Sequence, residues 1–366
     1  MIDSATRRAW VARACAFLTA ERMRAAQTPL LQFTVAAFPN VRFYLKDERA
    51  HPSGSLKHRL AHALFAHAIC SGNVGSDTLV VEASSGSTAI SEAWFARALG
   101  LHFVAVVPDR TAPAKLAAIR AVGGEILLVP DGGDVCAEAD ALAKCRGGWF
   151  MNQFDHALEA TDWRGANNIA ESLFGQLIDI GDPVPRWVVT GAGTGGTSAT
   201  IGRYIRHRPE LAEVRMCVVD PAGSAFYKAY VSGDRSVRGC TSPVVEGIGR
   251  GRVERGFLPA LVDRMIAVPD ASSIAAAYWL RAQSGAAFGP STGTNMVGAI
   301  LLAQELEDQG ESGAIAVIGC DGGERYRETI YDSAWLQRHG YDISGWDRLP
   351  DLIARHANLM HSCRTA

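Results

Sequence analysis

The chain has 366 residues, a formal charge of −2 and 20% charged side chains, which is length enough for two domains with sizeable cores but offers no basic stripe for nucleic acid. No run approaches the roughly eighteen uninterrupted apolar residues of a membrane span, and the apolar stretch behind Arg7-Arg8 is broken by Arg13 and Glu21, against a signal peptide, while Asp3 and Glu21 argue against a transit peptide. Eight cysteines, Cys15, Cys70, Cys136, Cys145, Cys217, Cys240, Cys320 and Cys363, form no C-x-x-C pair, so neither a zinc site nor a disulfide framework is expected, and reduced thiols in a cytoplasmic protein are.

In chain order, Trp10, Ala14, Phe17 and Leu18 recur at helical spacing and predict an amphipathic helix over about 5–26, packed on the body or on a second subunit. Short strands follow at 30–35 and 41–45, then a helix from about Ser55 to Cys70. Strand and helix then alternate: strand 78–81, helix 88–99, strand 103–107, helix 113–122, strand 126–129 and helix 135–145. A second block has helix 168–177, strand 187–189, helix 198–205 and strand 216–219, and later helices 271–283 and 294–307 and strand 314–318. This alternation predicts parallel sheets covered by helices, an α/β protein of two domains with a cleft between them. Beyond about Ile330, Trp335, Leu336 and the stretch 346–353 suggest one or two extra helices.

Lys57 is one of only five lysines, with Lys46, Lys115, Lys144 and Lys228, and it alone follows a Pro-Ser-Gly-Ser turn, Pro52 to Ser55. In the first turn of a helix, unpaired N–H groups and the positive dipole end raise the cost of its charge. Such a lysine gives up its proton more easily, which suits an amine that forms a Schiff base with an aldehyde cofactor.

Gly191-Ala192-Gly193-Thr194-Gly195-Gly196-Thr197 sits between a strand and a helix, where small residues let backbone N–H groups approach an anion. A phosphate is the expected guest. Gly191, Gly193 and Gly196 also satisfy G-x-G-x-x-G, with Asp220 near the position of a ribose-binding acid, so a dinucleotide is the rival reading. Ala83-Ser84-Ser85-Gly86-Ser87-Thr88 likewise follows a strand and opens a helix, and offers hydroxyls to a second anion or a plain serine cap.

These stretches together resemble the fold-type II pyridoxal phosphate (PLP) enzymes, the cysteine synthase and cystathionine β-synthase family. The family's Lys-Asp-Arg reads Lys57-His58-Arg59, and its phosphate cup matches Gly193, Thr194, Gly195, Gly196 and Thr197. Its Ser-Gly-Asn-Thr reads Ser85-Gly86-Ser87-Thr88. The family asparagine there bonds the cofactor's 3′ oxygen, and Ser87 is shorter. Asn152-Gln153-Phe154 matches a segment whose glutamine reaches the substrate carboxylate. Thr161-Asp162-Trp163-Arg164 replaces the family's Thr-Thr-Gly-Pro-Glu, so one side of the pocket is remodelled. Val245-Glu246-Gly247-Ile248-Gly249 resembles a loop over the active site, with Arg250 and Arg252 either at the cleft mouth or solvated. Gly289-Pro290-Ser291-Thr292-Gly293 resembles the loop whose serine faces the pyridine nitrogen, and Asp321-Gly322-Gly323-Glu324-Arg325-Tyr326 resembles a family segment with its serine lost.

The resemblance covers about residues 30–330. It implies the tryptophan synthase β-like fold with PLP in the interdomain cleft, held by Lys57, by Gly193 to Thr197, by Ser87 and by Ser291. Ser84, Ser85, Thr88 and Gln153 are then expected to hold the carboxylate of a small amino-acid substrate, and no metal is implied. A serine at the ring nitrogen suits loss of a β-substituent. The loops look most like the bacterial L-cysteine desulfhydrase branch, with cysteine synthase or cystathionine β-synthase second, and an NAD-binding oxidoreductase or a silent binding protein as remote alternatives. The implied assembly is a homodimer. The expected division is a helical extension at 1–28, a smaller domain at 51–156, a larger one from 29–50 with 157–330, and a helical extension at 331–366.

Overall fold

The computed structural model describes residues 4–165, 168–240 and 244–350. In chain order the elements are α1 (Ser4–Ala25), β1 (Leu30–Phe33), β2 (Val41–Asp47), α2 (Lys57–Cys70), β3 (Val80–Glu82), α3 (Ser87–Leu99), β4 (Phe103–Pro108), α4 (Pro113–Ala121), β5 (Glu125–Val129), α5 (Val135–Arg146), β6 (Trp149–Phe150) and α6 (Gln153–Ala160). There follow α7 (Ile169–Asp179), β7 (Trp187–Gly191), α8 (Gly196–His207), β8 (Arg215–Pro221), α9 (Ala225–Ser232), β9 (Arg264–Val268), α10 (Asp270–Ser284), α11 (Pro290–Asp308), β10 (Gly313–Gly319) and α12 (Ser333–Arg338). The chain divides into two compact units, residues 1–27 with 51–168, and residues 28–50 with 169–366.

The first unit is built on a four-stranded parallel sheet, ordered β5-β4-β3-β6. Its strands read as unbroken apolar runs because both faces are covered. Val80, Phe103, Ala105 and Val107 pack with Leu64 and Phe65 of α2 and Phe95 of α3, whereas the alternate residues Val81, Val106 and Val129 pack with Ala139 and Ala143 of α5. α1 buries Ala14 and Leu18 in the first of these cores, so it packs on the body of its own unit.

The second unit carries a six-stranded sheet ordered β1-β2-β10-β7-β8-β9, in which only β1 with β2 is antiparallel. Phe43, Leu45, Val189, Val219, Ile315 and Val317 face α10 and α11, and the alternate residues Val188, Val218 and Ala316 are also fully buried. α11 is buried on nearly every side, from Pro290 to Leu306.

Most boundaries fall within two or three residues of the sequence expectation. α11 begins four residues earlier than expected, because Pro290 takes the first helical position, where its missing N–H costs nothing. β6, α6, α9 and β9 are additional elements. Beyond α12 a short helical turn spans Trp346–Arg348, Leu349 and Pro350 continue it, and residues 351–353 of the expected helix, like Cys363, lie outside the described residues.

Candidate active site

The turn before Lys57 closes with the Gly54 N–H donating to the His51 carbonyl at 2.8 Å. Gly54 has φ +69°, a conformation that side chains disfavour, so the chain reverses sharply just there. Lys57 becomes the first residue of α2, half-buried, with no side-chain cap ahead of it. Its neighbour His58 is buried, and Nε2 of His58 lies 2.7 Å from Glu21 Oε1 on α1. One turn later His62 donates from Nε2 to the Leu18 carbonyl at 2.7 Å, and Arg59 donates to the Ala25 carbonyl at 2.8 Å. Glu21, which at the sequence level only interrupts an apolar run, is therefore a buried anchor for the helix that carries Lys57.

The serine-rich loop leaves the C-terminal end of β3, and Gln153 follows the neighbouring parallel strand β6. Asn152, between them, has φ +46°, a left-handed conformation that asparagine tolerates, and this turn sets Gln153 at the head of α6. The Thr88 hydroxyl donates to Gln153 Oε1 at 2.8 Å, so two of the expected substrate-binding residues meet directly. Ser84 accepts from the Gly86 N–H at 3.3 Å. Ser85 makes no hydrogen bond among the described residues. Ser87 is the first residue of α3.

Behind this loop lies a fully buried pair of acids, Glu82 and Glu92. Glu82 accepts from the N–H of Ala83 at 2.8 Å and of Gln153 at 3.1 Å. Burial pushes Glu82 up to about 7 against the pull of those N–H groups, and burial with the facing Glu82 carboxyl holds Glu92 well above the carboxylate range. A carboxyl that binds its proton more tightly when folded adds stability fully below the unfolded value of 4.5 and loses it as pH rises through about 7. Glu92→Gln removes one of the two acids at constant volume, so the denaturant midpoint of the variant should fall less than that of the wild type between about pH 5 and about pH 9. Parallel declines in urea melts would show that the pair does not couple.

In the second unit the glycine-rich loop follows β7 and opens α8. Gly195 has φ +84°, and a Cβ there would lie 2.3 Å from the backbone of Gly256 and Phe257, so only glycine fits. The Thr194 hydroxyl accepts from the Gly196 N–H at 3.2 Å, and the Ser198 hydroxyl donates to the Gly195 carbonyl at 3.0 Å. The loop is thus rigid and bare of side chains at 193, 195 and 196, ahead of first-turn N–H groups that have no intrahelical acceptor. Thr197 adds a hydroxyl without a hydrogen-bond partner among the described residues. The loop at 245–249 braces this one, with the Gly249 N–H donating to the Ala192 carbonyl at 2.8 Å. Arg250 and Arg252 both pair with the buried Glu254, at 3.1 and 3.2 Å.

Ser291 stands at the second position of α11, behind Gly289 and Pro290, so it is not the helix cap. It is buried, and its hydroxyl makes no hydrogen bond among the described residues. The start of α11 is tied to the end of β10 by the Cys320 N–H donating to Thr292 Oγ1 and by the Gly289 N–H donating to the Asp321 carbonyl, both at 2.9 Å. Since β10 and β7 are adjacent and parallel, Ser291 and the glycine-rich loop lie at the same carboxyl edge of one sheet, where α/β folds bind ligands.

The dinucleotide reading of the same glycines fails at Asp220. Its Oδ2 accepts from the Tyr227 N–H at 2.8 Å, in the first turn of α9, and the residue is fully buried. Asp220 is a helix-capping acid, pushed up to about 6 by burial.

In the second unit a bare, rigid anion loop with uncommitted hydroxyls at Thr197 and Ser291 suits a phosphate, and in the first unit a lysine heads a helix. The chain belongs to the family of pyridoxal-phosphate dependent enzymes, whose model matches residues 22–321. Within it the chain is 50% identical to L-cysteine desulfhydrase Cds1 of Mycobacterium tuberculosis, over 92% of each chain. It is 28% identical to the cysteine synthase of Dictyostelium discoideum, over 88% of this chain and 86% of that one. Among solved structures, O-ureido-L-serine synthase superposes with a TM-score of 0.75 at 25% identity, covering 87% of this chain and 98% of the other. Among the described residues no helix is long and apolar enough to cross a membrane, and no group of acids, histidines and cysteines could hold a metal.

Proposed function

We propose that the chain is an L-cysteine desulfhydrase, which converts cysteine and one water to hydrogen sulfide, pyruvate and ammonia. The observation that carries this reading is the 50% identity to a desulfhydrase along 92% of both chains. When bound, pyridoxal phosphate supplies an electron sink for the pair left behind as the α-proton departs. Lys57 would hold the cofactor through its amine, and its Nζ would serve as the base that takes the α-proton. The N–H groups and hydroxyls of Gly193, Thr194, Gly195, Gly196 and Thr197 bind the phosphate, Ser291 takes the ring nitrogen, and Ser87 the ring oxygen. Ser84, Ser85, Thr88 and Gln153 bind the substrate carboxylate. The Thr88 hydroxyl occupies Gln153 Oε1, which fixes the orientation of that amide at the head of α6. A serine hydroxyl at the ring nitrogen does not hold it protonated as a carboxylate would, which favours loss of the β-substituent over transamination.

Sulfide and pyruvate should form in equal amounts from cysteine alone. Absence of both products would reject the desulfhydrase. The second reading, cysteine synthase or cystathionine β-synthase, draws on the Dictyostelium discoideum relative. It predicts instead that turnover depends on an added O-acetylserine and sulfide pair or on homocysteine. A cytoplasmic homodimer is part of the proposal, supported by the family resemblance and by the seven cysteines of the described residues, all free thiols.

A further inference from the structure

Two positions where the chain departs from the family pattern, His58 and Ser87, are joined by one buried set of contacts. Glu21 Oε1 meets His58 Nε2 at 2.7 Å. His58 Nδ1 meets Ser53 Oγ at 3.0 Å, and Ser53 Oγ meets Ser91 Oγ at 2.9 Å. The Ser91 hydroxyl donates to the Ser87 carbonyl at 2.8 Å. Glu21, Ser53, His58 and Ser91 are all buried. The chain therefore starts on α1, passes beside Lys57 at the head of α2, crosses the turn that delivers Lys57, and ends on the first residue of α3.

Against the upward push of burial, bonds from His58 and Arg24 hold Glu21 down at about 2, and burial holds His58 down to about 4. At neutral pH the Glu21 carboxylate only accepts, so His58 Nε2 carries the imidazole hydrogen and Nδ1 accepts. The Ser53 hydroxyl then donates to Nδ1, and the Ser91 hydroxyl, which donates to the Ser87 carbonyl, has Ser53 Oγ as its competing acceptor. Trp94 and Phe95 of α3 close the His58 ring off, at 4.9 and 4.6 Å between ring centroids, and His51 stacks on it at 4.8 Å. Water has little access to break the path.

We propose that Glu21, His58, Ser53 and Ser91 form a positioning relay that sets the starts of α2 and α3 against each other, and so makes the N-terminal helix a working part of the cofactor site. The inference rests on the reading of Lys57 and Ser87 as cofactor-binding residues. None of the four need touch the cofactor. They act through Lys57 and Ser87, whose placement by even an ångström governs turnover.

The test is a double-mutant cycle on the cofactor-loaded, full-length protein. His58→Gln keeps the volume and the Glu21 contact but loses the acceptor for Ser53. Ser91→Ala cuts the path at the Ser87 end. Each should lower kcat about tenfold with KM within about twofold, and should weaken pyridoxal phosphate binding in an absorbance titration. The double variant should be no worse than the poorer single one, since one path is cut twice. Losses that multiply, or unchanged kcat and cofactor affinity with only a lower Tm, would reduce these residues to ordinary packing and overturn the relay. If His58→Gln does not fold, Glu21→Gln takes its place in the cycle, with the same expectations. Lys57→Ala separates the two claims. A fully active Lys57→Ala enzyme sinks the underlying reading, whereas an inactive one beside multiplicative losses sinks the relay alone.

Discussion

Replacing Lys57 with alanine is expected to abolish sulfide release, by about a thousandfold or more, while the protein keeps its fold and its affinity for the phosphate end of the cofactor. The half-buried Lys57 heads α2 through its backbone, and alanine is a good residue for that position. Borohydride reduction of the loaded wild type should attach the cofactor to Lys57 and to none of the other four lysines. Lys46 provides an internal control. It is fully buried, but its ammonium donates to the Thr28 carbonyl and to Gln176 Oε1, each at 2.7 Å. A cofactor adduct at Lys46, or measurable turnover in Lys57→Ala, would contradict the assignment.

Gly195→Ala should have the second largest effect. A methyl group there meets the Gly256 and Phe257 backbone at 2.3 Å, and no rotamer can relieve a clash at Cβ. The loop must move, and pyridoxal phosphate affinity should fall about a hundredfold, equivalent to about 2.7 kcal/mol. Gly132→Ala separates the clash from backbone strain. Gly132 has the same φ of +84° but nothing within 4 Å of its Cβ position, so that variant should lose only about 1 kcal/mol of stability and bind the cofactor normally. Equal cofactor affinity in the two variants would mean that the loop at 193–197 does not carry the phosphate.

Much of the fold is legible because strands covered on both faces are written as apolar runs. Val104 to Val107 and Ala314 to Ile318 could be assigned for that reason alone. The elements that escaped have weaker local signals. β6 is only Trp149–Phe150, too short for any period to show. α9 is announced by a single residue, Ser224, whose hydroxyl accepts from the Phe226 N–H at 3.4 Å. β3 lies further along than expected because it ends on the buried acid Glu82, where an acid in an apolar run reads as the strand's end.

The site divides in the same way. Motif loops such as 83–88 and 193–197 are contiguous and could be found by inspection. The residues behind them are brought together by tertiary packing. Glu82 meets the Gln153 N–H from far along the chain, and Glu21 meets His58 across a helix interface. One signal was available, since Glu92 lies in a helix that is otherwise largely alanine and large apolar residues, Ile90, Trp94, Phe95 and Leu99. An acid at such a position needs a proton or a partner.

The pairing of β2 with β10, Val41 against Gly313 through to Asp47 against Gly319, carries a consequence for biosynthesis. β2 emerges early from the ribosome, and its parallel neighbour is among the last strands to be made. Until then the nascent chain exposes an open, apolar edge with its amide groups unsatisfied, the kind of surface on which partly made chains associate. The slow step of maturation should therefore be insertion of this late strand into the middle of the sheet, a step of high contact order that holds for refolding as well.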